Sequence, residues 1–225
     1  QAEPGDVVIS LGTSGTAFAV STTSTHDASG AVAGFADASG RFLPLVCTLN
    51  AARIFDAATT ILGKTHDEVG DLALSSIPGA HGLTLLPYFE GERTPNRPTA
   101  TGVFSGMNIA NSNPADIARA MIEGMLSGLA DAVAALEDLG VDIKRVLIIG
   151  GAAKNPAVGQ IASALFGRPV LIPPAGEYVA DGAAKQAAWA LLGGATPPVW
   201  DLGKAMHIEA AATPAVLEKY RTLRD

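Results

Sequence analysis

The chain has 225 residues, 48% hydrophobic and 16% charged, a formal net charge of −7 and one cysteine, Cys47. That apolar content fills a core and excludes a disordered polyelectrolyte, while the acidic balance argues against a nucleic-acid partner. A lone cysteine excludes an internal disulfide and points to a reducing cytosol, its simplest role being that of a small buried hydrophobe.

No apolar run approaches the ~18 residues of a membrane span, and the first residues lack the basic and apolar regions of a signal peptide. The chain begins with Gln1 and enters a strand almost at once, which reads as a piece of a longer polypeptide or a processed product.

Val7–Leu11 and Thr16–Ser21 read as a hairpin around a glycine-rich turn. Ala31–Phe35 and Arg41–Leu45 read as a second one around Asp37-Ala38-Ser39-Gly40. Helices are expected over Ala51–Leu62 and Asp67–Ser75, then a strand over Leu83–Leu86 and an irregular loop over Pro87–Thr101.

The strongest helical pattern runs from Pro114 to Leu139. Asn113 suits the N-cap, Pro114 the first helical position and Asp116 the positive end. Ile117, Met121, Met125, Leu129, Val133 and Leu136 recur at helical spacing as a buried stripe, and Gly140 is placed to end the helix. A strand is expected over Arg145–Ile149, a helix from Pro156 to Phe166 between Asn155 and Gly167, and a short strand over Val170–Ile172. Helices are expected over Asp181–Leu192 and Pro214–Arg224, with Gly193–Asp201 a connection. Hairpins followed by βα units imply one α/β domain with a mixed sheet flanked by helices.

Two turns carry the chemistry. One is Ser10-Leu11-Gly12-Thr13-Ser14-Gly15-Thr16, the other Gly150-Gly151-Ala152-Ala153-Lys154-Asn155-Pro156, and each follows a short apolar strand. Peptide N–H groups approach phosphate oxygens only where side chains are minimal, so such turns suit a nucleotide. Gly12 and Gly15 allow positive φ, and Thr13, Ser14 and Thr16 add hydroxyl donors around the hairpin tip. A tight polar hairpin and an ordinary capped strand-to-helix turn are the competing explanations. Neither turn fits the P-loop or the full dinucleotide fingerprint.

Other clusters have plainer readings. Glu90, Glu92 and Arg93 read as a loop held by internal ion pairs or as a contact to another domain. His26, His66, His81 and His207 lack zinc-type spacing. Ser10 and Ser14 form no nucleophile elbow. Met121 and Met125 belong to the core stripe; Trp189 and Trp200 read as packing residues, with Trp189 a candidate for the adenine side.

A hairpin tip that holds phosphates resembles the device of the actin, hexokinase and heat-shock ATPase superfamily. Together and in this order, the two turns resemble the C-terminal domain of the FGGY carbohydrate kinases. Leu86-Pro87-Tyr88-Phe89-Glu90-Gly91-Glu92-Arg93-Thr94-Pro95-Asn96, followed by Thr101-Gly102-Val103-Phe104-Ser105-Gly106-Met107, looks like the xylulokinase branch. Ala180-Asp181-Gly182-Ala183-Ala184 sits where that family has a Gly/Ala-rich helix start near the adenosine. The resemblance runs from Pro4 to about Leu192, and the Gly193–Asp225 tail adds little to it.

The resemblance implies an actin/hexokinase-like (ribonuclease H-like) ATPase fold, with residues 1–225 as the C-terminal nucleotide-binding domain. It implies transfer of the ATP γ-phosphoryl group to a sugar hydroxyl, first D-xylulose, with Mg²⁺, in the cytoplasm. By position, Gly12 and Thr13 look like the phosphate-contacting turn, and Gly151, Ala152 and Asn155 like the adenosine-side contacts. Lys154 reads as a solvated turn lysine, and Asn50 lies in a region that contacts nucleotide in relatives.

The family's catalytic aspartate lies upstream of the first strand. Asp6 does not match it and reads as a turn residue, so no catalytic or metal-binding residue is assigned here. The family's N-terminal domain supplies the first phosphate loop, an acidic Mg²⁺ contact and most sugar contacts. One wall alone should bind nucleotide weakly and catalyse essentially nothing. The implied partners are the sugar, ATP, that N-terminal domain and, as relatives often dimerise, a second copy. Two other readings stay open: a family member acting on glycerol, ribulose or gluconate, and a non-catalytic actin-like interaction module.

Overall fold

The computed structural model describes residues 2–201 and 203–225; Gln1 and Leu202 lie outside the described residues. Strands β1 (Asp6–Leu11) and β2 (Gly15–Ala19) form the first hairpin, with Leu11 opposite Gly15. Strands β3 (Ala33–Ala36) and β4 (Phe42–Thr48) form the second, and helices α1 (Ala52–Leu62) and α2 (His66–Ser75) follow. Next come β5 (Thr84–Leu86), β6 (Val103–Ser105) and the long α3 (Pro114–Asp138). The last third alternates: β7 (Arg145–Ile149), α4 (Pro156–Phe166), β8 (Val170–Ile172), α5 (Tyr178–Leu192), β9 (Met206–Ile208) and α6 (Pro214–Arg224). Strands β6 and β9 fall where none is expected; unlike the equally short β8, whose Val-Leu-Ile run marks it, each carries a polar or titratable residue, Ser105 or His207, in its three.

Seven strands share one sheet in the order β3-β4-β2-β1-β7-β8-β9, while β5 and β6 pair apart from it. Pairing is antiparallel from β3 to β1, parallel across β1, β7 and β8, and antiparallel again at β9. The mixed sheet expected from the sequence is therefore present.

Asn113 caps α3, its Oδ1 accepting from the Asp116 N–H at 3.1 Å. The helix packs on β2 and β4 and against α1, α2 and α4, which buries Met121, Met125, Leu129, Val133 and Leu136 together. At Gly124 a Cβ would lie 2.6 Å from the Leu85 carbonyl, so glycine lets β5 cross the helix closely. Helix α5 differs from the rest. It starts three residues earlier than expected, and none of its residues is buried.

Asp6 is more than a turn residue. It opens β1, is buried, and its carboxylate accepts from Arg145 Nε and Nη2 at 2.6 and 2.5 Å and from the Glu3 N–H at 2.7 Å. Burial pushes this carboxyl up, but the guanidinium and the N–H donor outweigh it and hold the group below its ordinary value. The pair ties the amino ends of β1 and β7 together.

Candidate functional site

The carboxyl ends of β1 and β7 lie side by side, because the strands are parallel neighbours with Ser10 opposite Ile149. Both glycine-rich turns leave the sheet there, on the edge where open α/β sheets form ligand crevices. They also touch: at Gly150, where φ is +103°, a Cβ would lie 2.4 Å from the Leu11 carbonyl oxygen. Glycine at 150 is thus demanded twice, by its backbone angle and by the approach to β1.

In the first turn neither Gly12 nor Gly15 uses the positive φ that glycine allows. Gly15 serves packing: a Cβ there would lie 2.7 Å from Thr48 Cγ2 and 3.0 Å from Ala51 Cβ. Gly12 has room, the nearest atom to a Cβ being the Ser14 carbonyl oxygen at 3.4 Å. Gly12 and Thr13 are exposed. The Gly12 carbonyl accepts from the Ala52 N–H at 2.9 Å, which sets the start of α1 against this turn. No side chain caps α1 and no acidic residue sits in its first turn, so the Gly12 carbonyl is what meets its first N–H.

Buried carboxylate Glu92 holds that junction. It accepts from Thr48 Oγ1 at 2.6 Å, the Leu49 and Arg93 N–H groups at 2.7 Å each, and Asn50 Nδ2 at 2.9 Å. Glu92 therefore braces the β4–α1 connection by hydrogen bonds instead of ion pairs within its own loop. Glu90 pairs with Arg53 of α1, and Arg93 is exposed. Asn50 is buried behind the turn, with Nδ2 also donating to the Gly91 carbonyl at 2.7 Å and Oδ1 left without a partner. Its amide faces inward.

In the second turn Ala152 and Ala153 are buried, Gly151 is exposed, and Ala152–Lys154 form a single 3₁₀ turn ahead of α4. The Asn155 side chain is engaged at both ends. Oδ1 accepts from the Ala157 N–H at 3.0 Å as the cap of α4, and Nδ2 donates to the His66 carbonyl at 2.9 Å. Gly70 of α2 leaves the space in which this amide sits. The capping role is what this geometry uses.

A cleft of about 720 Å³ opens beside the second turn. Gly151 and Lys154 line it, whereas Gly12, Thr13, Ala152 and Asn155 do not. Its far wall comes from the β8–α5 loop, where the Tyr178 hydroxyl donates to the Pro174 carbonyl, and from Lys204, Met206 and Ile208. The tail past Gly193, which adds little to the family resemblance, thus contributes to the cleft. Neither Trp189 nor the Ala180–Ala184 segment lines it; the Trp189 Nε1–H donates to the Gly194 carbonyl at 2.6 Å. From the sequence, Gly150 and Gly151 read as permitting close approach; the approach the structure shows at Gly150 is that of β1. The bracing role of Glu92 and the tail's place at the cleft gave no local signal.

Residues 7–191 match the C-terminal domain of the FGGY family of carbohydrate kinases. The chain is 43% identical over 191 residues to the xylulose kinase of Streptomyces coelicolor, covering 84% of this chain and 38% of that relative. The crystal structure of xylulose kinase from Bifidobacterium adolescentis aligns with a TM-score of 0.89 at 49% identity, over 99% of this chain and 44% of that one. The structure of Plasmodium falciparum glycerol kinase with ADP shares the fold, with a TM-score of 0.77 at 16% identity, over 96% of this chain and 45% of that one. The chain therefore spans about 38% of the length of a curated relative such as that of S. coelicolor. Its mixed sheet flanked by helices is the actin/hexokinase-like fold, and the chain belongs to the FGGY family of carbohydrate kinases, corresponding to the C-terminal domain and close to the xylulose kinases.

Proposed function

We propose that this chain is the nucleotide-binding half of an ATP-dependent kinase that phosphorylates D-xylulose. The observation that carries this reading is the meeting of two glycine-rich turns at the carboxyl ends of neighbouring parallel strands, in a chain close to the xylulose kinases. Gly12 and Thr13 would face the β- and γ-phosphates, backed by the positive end of α1. Gly151 and Ala152 would lie beside the adenosine, and Asn155 would act by fixing the turn. The 720 Å³ cleft has room for a nucleoside.

Transfer forms a bond from a sugar hydroxyl oxygen to the γ-phosphorus and breaks the one from that phosphorus to the bridging oxygen of departing ADP. The hydroxyl proton passes to a base, which this reading assigns to an aspartate of a preceding domain. The residues of this chain bind and orient the nucleotide. The expected Mg²⁺ would be held through the nucleotide phosphates and a carboxylate of the preceding domain. The sugar-binding domain, a cytoplasmic location and dimer formation belong to the same proposal; among the described residues no helix is long and apolar enough to cross a membrane.

The test is ADP release by the full-length protein with ATP and D-xylulose, D-ribulose, gluconate or glycerol. Release that requires D-xylulose supports the reading, and release with another of these alone replaces the substrate. The absence of sugar-dependent turnover favours a non-catalytic module. In the chain itself, Gly12→Val should abolish affinity for ADP with Mg²⁺.

A further inference from the structure

Beyond residues 7–191, which match the family domain, the chain returns to the sheet as β9. It runs antiparallel to β8, with Met206 opposite Ile172 and Ile208 opposite Val170. Three features hold it there. Glycine at 159 of α4 leaves space for Ile208 and Ile172, whose Cδ1 atoms would lie 2.5 and 2.8 Å from a Cβ. Ser163 Oγ accepts from the Ala210 N–H at 3.0 Å, and the Thr213 N–H donates to the Ala164 carbonyl at 2.9 Å.

Met206 and Ile208 share one face of the strand, and both line the cleft beside the second turn. Ile208 packs against the core, whereas Met206 is 62% exposed. This large apolar side chain thus stands exposed at the rim of a cleft walled by Ile172, Pro173 and Pro174. A flexible, polarisable thioether in such a place suits a flat aromatic ring.

We propose that Met206 is a nucleotide-binding residue, the shelf on which the nucleobase lies. The inference rests on the nucleotide reading above and deepens it. Burying the ring against the thioether removes apolar area from water and adds a sulfur–aromatic contact. The contact is with the base alone, so it acts equally on adenosine and ADP and leaves pyrophosphate untouched.

Calorimetric titration of the chain with ADP, adenosine and pyrophosphate tests this in wild type, Met206→Ser and Met206→Leu. Met206→Ser should weaken ADP and adenosine by the same factor, about five-fold, and Met206→Leu by less than about two-fold, with pyrophosphate unchanged. Equal ADP affinity in wild type and Met206→Ser overturns the shelf and leaves the nucleotide reading standing. A loss confined to ADP, or one shared by pyrophosphate, also overturns it. A wild-type chain that binds neither ADP nor adenosine overturns both readings. Because the Met206 side chain is mostly exposed, these variants keep the fold, which a thermal melt verifies.

Discussion

The turn after β1 and the turn after β7 each set glycines at a strand end, yet glycine is needed for different reasons in the two. At Gly150 both the backbone angle and the contact with Leu11 forbid any side chain. Gly12 lacks a positive φ and a Cβ there would meet the Ser14 carbonyl oxygen only at ordinary contact distance, so neither backbone angle nor packing among the described residues demands it. The second turn is built by the fold, with Asn155 clamped between two helices. In the first, packing demands glycine at Gly15, where a Cβ would meet Thr48, but not at the exposed Gly12. Similar sequences thus conceal glycines that hold the structure and glycines, Gly12 and Gly151, whose side of the turn stays open to solvent.

Substitutions sharpen this contrast. Gly150→Ala should be the most damaging, at about 3 kcal/mol or more, since it adds both left-handed strain and an overlap with the β1 backbone. Urea unfolding measures it, and a loss below about 1 kcal/mol would remove the distinction between the turns. At the other end of the same strand pair, Asp6→Asn should cost about 2 kcal/mol. Its folded pKa is depressed, so the stabilisation is complete above the ordinary aspartate value of 3.8 and fades as pH falls through the lower folded value. Melting temperatures taken across acid pH should therefore converge for the two proteins as pH drops.

Asn155→Ala should cost about 1–2 kcal/mol through loss of the α4 cap, read by the same unfolding assay. Gly12→Ala and Gly151→Ala should stay within about 0.5 kcal/mol of wild type. At Gly151 φ is −60° and no atom lies within 4 Å of a Cβ. If Gly12→Ala were as harmful to stability as Gly150→Ala, the first turn too would be a structural device.

Much of this was legible in the sequence where local chemistry is strong. Asn113-Pro114 and Asn155-Pro156 mark the starts of α3 and α4, because cap and proline act within a few residues. The two hairpins and the mixed sheet followed from alternation and turn residues. The short β8 was legible from its wholly apolar run, whereas β6 and β9, with Ser105 and His207 among their three residues, are defined by their partners across the sheet. For the same reason the motif around Glu92 could be quoted but not understood. Its carboxylate is satisfied by Thr48, Leu49 and Asn50, more than forty positions earlier in the chain. The two turns were found, but their contact through Leu11 and the tail's share in the cleft depend on the sheet's order.

Helix α5 carries a consequence for motion. With none of its fifteen residues buried, little beyond its own backbone ladder sustains it, and a helix of that length is marginal in water. Deuterium should therefore replace its amide protons long before those of α3, which open only with the domain as a whole. Quick labelling across 178–192 beside slow labelling across 114–138 would mark α5 as the segment that frays first when the solvent turns hostile.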